Sequence, residues 1–356
     1  MVITKRIKLY VSDEIALDLE RFTDIQIQVS NYFMEKIRES GSMSLFVLHR
    51  AYYHEAKQKY NIGSDLTTTS LNLAIKVARI QKKSGKPISS FSSKILFIKN
   101  SYIKGNIITL PLGDKIKRFA NWGGKPIKNQ IISVISIKKI KNEWFGFLPI
   151  NIDEEKIKKY KRCMGVDLGV SKIAVVADWN GNNTKFFRGE PLRFVKNHYR
   201  GLRKSMQEKL KKGNTYKALN NIRGKETRWV QDMNHKISRE IVDIAIKNKR
   251  SIAIEKLTGI TERLKFNKKT NNMMRNWSFN QLAQFIKYKA QMVGIQVVEV
   301  DPRGTSKTCS KCGHCSRSNR RTQERFKCRA CGYESNADRN AAINIAKRGT
   351  ELLACR

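Results

Sequence analysis

Hydrophobic and polar positions change period several times along this chain, and each change marks an element. Residues 2–11 (VITKRIKLYV) alternate as a strand does. After Ser12 and Asp13, which offer an N-cap, apolar positions fall at Ile15, Leu19, Phe22, Val29, Phe33 and Ile37, the spacing of one helix face, and Gly41 stops the run. Two further helices are predicted at about 43–60 and 66–83, the second opened by Ser64 and Asp65 and closed near Gly85 and Pro87. Between about 90 and 150 the pattern shortens to β-rich runs (KILFIKN, NIITLPL, QIISVISIKKI, EWFGFLPI) separated by Gly, Pro and Asn, which predicts a small sheet or barrel. A helical insert therefore interrupts a β module that begins at residue 2.

The basic stretch EEKIKKYKRC (154–163) leads into a second half of different texture. There MGVDLGVSKIAVVADWNGNNTKFFRGE predicts strand, turn and strand, with Asn180 and Gly181 as the hairpin turn. Residues 190–250 read as helical and very basic, and SIAIE (251–255) and IQVVEVD (295–301) as short buried strands on either side of a helix over 278–293. Strands alternating with helices predict a mixed α/β sheet. The most apolar short runs, such as 131–137, fall far below the ~18 residues of a membrane span, and the N-terminus alternates rather than forming an export signal. The expectation is an intracellular, cytoplasmic protein with no membrane partner.

Charge sharpens this outline. The chain has 356 residues, with 71 Lys and Arg against 30 Asp and Glu, a formal balance of +41. A small-molecule enzyme has no use for such a field, whereas a polyphosphate partner neutralises it. The apolar content still excludes a disordered chain, and the length fits two to three domains of about 100–200 residues.

In an intracellular protein seven cysteines point to metal or free thiols rather than disulfides. Cys309-x2-Cys312-x15-Cys328-x2-Cys331 is the spacing of a zinc ribbon: two knuckles supply four thiolates to a tetrahedral Zn²⁺ in a closed structural site. Gly313 and Gly332 follow the second cysteine of each knuckle, where the turn needs a positive φ. His314 and Cys315 stand beside the first knuckle as substitute ligands, but the symmetric pairing is favoured and Cys315 reads as a bystander; Cys163 and Cys355 have no partner in sequence.

Three carboxylates stand in telling places. Asp167 lies on an apolar strand among small residues (GVDLG), Glu255 ends the apolar run IAIE, and Asp338 begins the helix ADRNAAINIA just after the ribbon. A carboxylate beside an apolar strand is costly unless paired or metal-bound. Each alone reads equally well as a salt-bridge acid. Together the three are suited to hold two Mg²⁺ ions and a phosphodiester.

The segments GVDLG, IAIEKLTGI, NWSFNQLAQFIKYKA, VVEVDPRGTSKTCSKCG and FKCRACGYESNADRNAAINIA resemble the nuclease domain of the transposon-associated TnpB family, related to compact type V CRISPR effectors; the likeness is close over about 160–348 and only architectural over 1–150. The resemblance implies an α/β RNase H-like (RuvC) nuclease domain at 160–304 and 335–356 with an inserted zinc ribbon at 305–334. It also implies a β-barrel wedge domain at 1–11 and 88–155, split by a helical recognition insert at 12–87. By motif, Asp167, Glu255 and Asp338 take the first, second and third catalytic positions. The implied activity is an RNA-guided DNA endonuclease of a transposon that cuts double-stranded DNA beside a short flanking motif by two-metal hydrolysis. The implied cofactors are Mg²⁺ and structural Zn²⁺, and the implied partner is a guide RNA encoded near the transposon end, with a monomer favoured. Competing readings are a nuclease-silent RNA-guided repressor, a compact type V CRISPR effector and a zinc-ribbon transcription factor. An acid at all three positions favours cleavage over the repressor.

Other residues carry weaker expectations. His235 in MNHKIS reads as a helix residue, Asp178 as a turn former, Asp301 as structural, and Arg303, Thr305 and Ser306 as possible phosphate contacts. The basic runs 156–162 and 199–213 favour nucleic-acid contact over an idle solvated face. Tyr52, Tyr53, Trp122 and Trp144 are either base-stacking residues or, more commonly, core.

Overall fold

A computed structural model describes residues 2–90, 92–112, 117–122, 134–169, 171–209, 212–256 and 279–355. The chain divides into two units, Met1–Asp153 and Glu154–Arg356. Among the described residues no helix is long and apolar enough to cross a membrane.

The first unit opens with β1 (Val2–Tyr10), whose alternation buries Ile7 and Leu9. Ser12 caps α1 (Asp13–Ser40) by accepting from the Ile15 N–H, and Gly41 ends it at φ 67°, donating back to the Ile37 carbonyl. Two more helices follow, α2 (Leu45–Tyr60) and α3 (Ser64–Lys83). The N-cap of α3 is Gly63, so Ser64 and Asp65 are its first residues rather than its cap. The chain then forms β2 (Leu96–Ile98), β3 (Tyr102–Lys104), β4 (Ile107–Pro111), β5 (Lys117–Trp122), β6 (Ile135–Ile140) and β7 (Glu143–Asn151). These strands and β1 make an antiparallel sheet of order β2-β6-β7-β1-β5-β4-β3. Helices and sheet share one core, including Phe33, Leu71, Ile108 and Ile137. Gln26 ties α1 to β2, its amide exchanging two hydrogen bonds with the Phe97 backbone at 2.8 and 2.9 Å. Trp122 and Trp144 are buried in this core, Tyr52 packs against its edge and Tyr53 is buried beside His49, so these aromatics serve packing rather than base stacking.

The second unit is α/β. Strands β8 (Cys163–Asp167), β9 (Lys172–Asp178), β10 (Lys185–Arg188), β11 (Ser251–Glu255) and β12 (Val297–Val300) form a sheet of order β10-β9-β8-β11-β12. β8, β11 and β12 are parallel, and β9 runs against β8. Helices α4 (Glu190–Lys209), α5 (Lys212–Ile222) and α6 (Lys225–Lys247) fill the basic stretch, α7 (Phe279–Met292) precedes β12, and α8 (Ala337–Ala354) follows the cysteine-rich segment. Residue 278, where α7 was expected to begin, lies outside the described residues.

One turn differs from expectation. Asn180 and Gly181 do turn the chain, with Gly181 at φ 82° and its N–H donating to the Asp178 carbonyl, but the β9–β10 connection is six residues, 179–184. Asp178 is the reason: its side chain is buried and accepts from Arg250 Nε at 3.0 Å and Asn183 Nδ2 at 3.2 Å, which draws the loop inward. It is a buried ion-pair partner as much as a turn former.

Candidate active site and metal centre

Alternation along two adjacent strands sets the direction of the first two carboxylates. On β8, Met164 and Val166 enter the core shared with α6 and α7, while Cys163 faces α8; on β11, Ile252 and Ile254 face the first side and Ala253 the second. Asp167 and Glu255 are the next residues of the second set. The parallel register pairs Ile254 with Val166, so these two acids end neighbouring strands side by side.

Asp338 reaches the same face because α8 lies against the strand backbones. A Cβ on Gly165 would sit 2.0 Å from the Ala342 carbonyl oxygen, and one on Gly349 2.4 Å from the Ala253 Cβ. Only glycine permits this approach. At the start of α8, Asn336 accepts from the N–H groups of Asp338 and Arg339. Arg339 donates to the Gly181 carbonyl at 3.0 Å and to Thr184 Oγ1, holding this end of the helix to the β9–β10 loop.

The electrostatics match a like-charge cluster. Burial, with the negative charges of Glu255 and Asp338, pushes the Asp167 carboxyl up to about 8, against which Arg320 acts weakly. Burial also raises Glu255, opposed by the hydrogen bond it accepts from Thr305 Oγ1 at 2.6 Å. Asp338 pairs with Arg320 at 2.8 Å. Among the described residues the four cysteines form the one group of three or more ligating side chains gathered for a single ion, and the three carboxylates do not form another.

Sequence reading left Thr305 as a phosphate contact, whereas here it holds Glu255. Asp301 lies near enough to raise the Glu255 carboxyl, and its own side chain accepts from the Arg303 N–H. Arg320 was missed. Nothing in the spacing of a cation-rich ribbon distinguishes it from Arg317 or Arg321. Asn340 and Asn344 were missed too: buried, they bind the Thr308 carbonyl at 2.8 and 2.7 Å, and Asn344 also the Thr305 carbonyl. Their four-residue spacing from Asn336 on an apolar helix was the available signal. His235 is a residue of α6, stacked on Phe285 with ring centroids 4.0 Å apart.

Cys309, Cys312, Cys328 and Cys331 place all four sulfurs within 4.8 Å of one another, with Cys309–Cys331 at 3.8 Å and Cys312–Cys328 at 3.5 Å. Four sulfurs about 2.3 Å from one tetrahedral ion are about 3.8 Å apart, so the cluster fits zinc. Gly313 and Gly332 turn the knuckles at φ 79° and 69°. Cys315 is exposed and outside the cluster, and the His314 carbonyl accepts from the Cys309 N–H and from Asn319 Nδ2. Cys163 is buried, which pushes its thiol up to about 12, and Cys355 is exposed. Phe326 packs among Cys309, Cys328 and Ala337, and the hairpin β13 (Arg325–Lys327) and β14 (Glu334–Asn336) runs directly into α8. The cysteine site and Asp338 are thus built on one continuous piece.

Residues 147–259 match the family model described as a probable transposase, and 279–345 match that of the Cas12f1-like TNB domain. The TnpB-like protein MJ0751 of Methanocaldococcus jannaschii is 31% identical over 203 residues, 55% of this chain and 72% of that protein. The chain belongs to the TnpB-like family. This TnpB-like chain is also 34% identical over 254 residues to the CRISPR-associated endodeoxyribonuclease Cas12f1 of Sulfoacidibacillus thermotolerans, covering 63% of itself and 56% of that relative. It spans about half the length of the curated Cas12f relatives it matches. Among solved structures, a Cas12f1–sgRNA–target DNA complex shares its fold at a TM-score of 0.67 and 20% identity, over 94% of this chain and 82% of that one.

Proposed function

We propose that this TnpB-like chain is an RNA-guided DNA endonuclease of transposon origin, with Asp167, Glu255 and Asp338 as its catalytic carboxylates. The reading rests on one observation above others: two adjacent strand ends and a helix start bring three acids together, so that Glu255 and Asp338 add to burial in raising the Asp167 carboxyl. A hard, all-oxygen donor set of this kind suits Mg²⁺. Bound there, two such ions would supply an activated water and stabilise the leaving oxygen of a phosphodiester.

The chain's own residues prepare the site. Asp167 and Glu255 present oxygens from adjacent strands, so the sheet and not a loop sets their separation. Thr305 fixes the Glu255 carboxylate in one orientation. Arg320 stands at the edge of the cluster on Asp338, where its planar fork also suits a phosphate oxygen. Cys309, Cys312, Cys328 and Cys331 would hold a structural Zn²⁺ that stiffens the segment carrying Arg320 and leading into Asp338.

A guide RNA and double-stranded DNA are the proposed partners, with a cytoplasmic location and a monomer as the working form. The balance of +41 supports a polyanionic partner. The first unit offers one surface of suitable chemistry, where Arg6 lies over the Phe145 ring and Lys8 over Tyr10. Relatives named as a CRISPR-associated endodeoxyribonuclease and as a putative RNA-guided DNA endonuclease support the nuclease reading, and the TnpB-like family assignment favours the transposon context.

The test is the Asp167→Ala chain, purified with the RNA it retains and given a matched duplex with Mg²⁺. Cleavage should fall to background while RNA content is unchanged. Full cleavage by the variant would remove Asp167 from the site.

A further inference from the structure

We propose that Asn344 is a positioning residue for the carboxylate site: its amide holds the turn after β12 so that Thr305 stays on Glu255. The consequence for a bound metal rests on the nuclease reading above; the hold itself is argued from the fold.

β12 pairs with β11 so that Val300 lies opposite Glu255. Beyond Val300 the chain leaves the sheet, and residues 301–307 form neither helix nor strand. Thr305 nonetheless returns over Glu255, where its Oγ1 donates at 2.6 Å. That hydroxyl has one proton, and an ionised carboxylate draws it in preference to the Pro302 carbonyl 3.0 Å away.

Side chains of α8 hold this turn in place. Asn340, Asn344 and Arg348 recur every four residues, which lines them along one helix face. Arg348 Nη1 donates to the Asp301 and Arg303 carbonyls at 2.7 and 2.8 Å. Asn344 Nδ2 donates to the Thr305 and Thr308 carbonyls at 2.8 and 2.7 Å. Asn340 Nδ2 donates to the Thr308 carbonyl and its Oδ1 accepts from the Ser310 N–H at 2.9 Å, so its grip is on the entrance to the ribbon. Of the three, Asn344 is the one that grips residue 305.

Asn344 is buried at 6% exposure and Thr305 at 2%. Both hydrogens of the Asn344 amide nitrogen are used, which also fixes which way round the amide lies, since an oxygen in that place would face two carbonyl oxygens. Packing alone is served by Leu or Ala, both better helix formers than Asn. What Asn adds is the pair of donors. Held at two carbonyls, the turn keeps the Thr305 hydroxyl aimed at Glu255; released, it lets Glu255 lose the bond that orients its oxygens. α8 thus serves two of the three acids, Asp338 by carrying it and Glu255 through Asn344 and Thr305.

The experiment adds Mg²⁺ alone, without nucleic acid, to the full chain at pH 8 and reads its dissociation constant from the thermal melt. Thr305→Val and Asn344→Ala should each weaken Mg²⁺ about tenfold, as loss of a group that orients a metal ligand does. The double variant should bind within about twofold of Thr305→Val, because Asn344 then has no hydroxyl to aim. Asn344→Ser, which gives up the amide but keeps a polar side chain, carries the same cycle where Asn344→Ala does not fold. A double variant about a hundredfold weaker than wild type overturns the proposal, because the two residues then act independently. So does an Asn344→Ala chain that melts lower but binds Mg²⁺ as wild type does. Cleavage of a matched duplex by the chain with its retained RNA is scored separately. A non-additive cycle without cleavage by wild type supports the hold and overturns the nuclease reading; cleavage by wild type with an additive cycle does the reverse. A wild type that binds no Mg²⁺ overturns both.

Discussion

At Asp167 a single proton links fold and chemistry. Its carboxyl is raised to about 8 by burial and by Glu255 and Asp338, whereas in the unfolded chain it ionises near 3.8. Between those values the folded chain holds a proton that the unfolded chain has released. The contribution of this group to stability is therefore full below about pH 4 and is lost as pH rises toward 8. A divalent cation needs the ionised form, so it must displace that proton. Asp167→Asn removes both effects. Without Mg²⁺ the variant should melt above wild type at pH 8, with the gap closing toward pH 5. With Mg²⁺ at about tenfold over its dissociation constant, wild type should gain on the order of 3 °C at pH 8 and less at pH 6, and the variant little at either. Thermal melts with and without Mg²⁺ at these pH values check both signs.

Among the elements, the packing of α8 on β8 and β11 decides whether three acids distant in sequence become one site. The Gly165 contact is with backbone, so Gly165→Ala cannot be absorbed by a side-chain rotation. It should cost about 3 kcal/mol, the upper end of ordinary overpacking, read as a lower urea midpoint. Cleavage should fall further than stability does, because the shift moves Asp338 away from Asp167. The ribbon acts on the same helix from its other side. Cys328→Ser should bring zinc below one equivalent per chain by metal analysis and lower cleavage with it, since Phe326 and the β13–β14 hairpin carry that disturbance to Ala337.

How legible these elements were depended on whether their determinants are local. The α1 stripe, its Ser12 cap and Gly41 stop, the strand ends at Asp167 and Glu255, and the CxxC pairs are written in neighbouring residues, and they were readable. The wide β9–β10 loop was not, because the Asp178–Arg250 pair that shapes it joins residues 72 apart. Trp122 and Trp144 could not be told from stacking residues by type, since only the sheet's register sends them inward. Arg320, Asn340 and Asn344 act through tertiary contacts that spacing does not announce. GVDLG was legible as a strand with small residues beside Asp167, but not that α8 would close onto Gly165.

For the whole molecule, the balance of +41 poses a question of distribution: under the nuclease reading, a chain that holds polyanions must still gather acids at one point to cut them. Much of the formal charge is exposed side chain, where an ion pair is worth little and salt screens it. Its main expression is therefore in binding, through counterions released from the partner's phosphates. Each neutralised phosphate contributes a slope of about −0.7 in log affinity against log salt on a single strand and about −0.9 on duplex DNA. With 6–10 such contacts, affinity for the retained RNA should fall about 10³-fold or more between 50 and 200 mM salt. A salt titration of the wild-type chain with that RNA checks this, and a flat titration would end the case for a phosphate-driven partner.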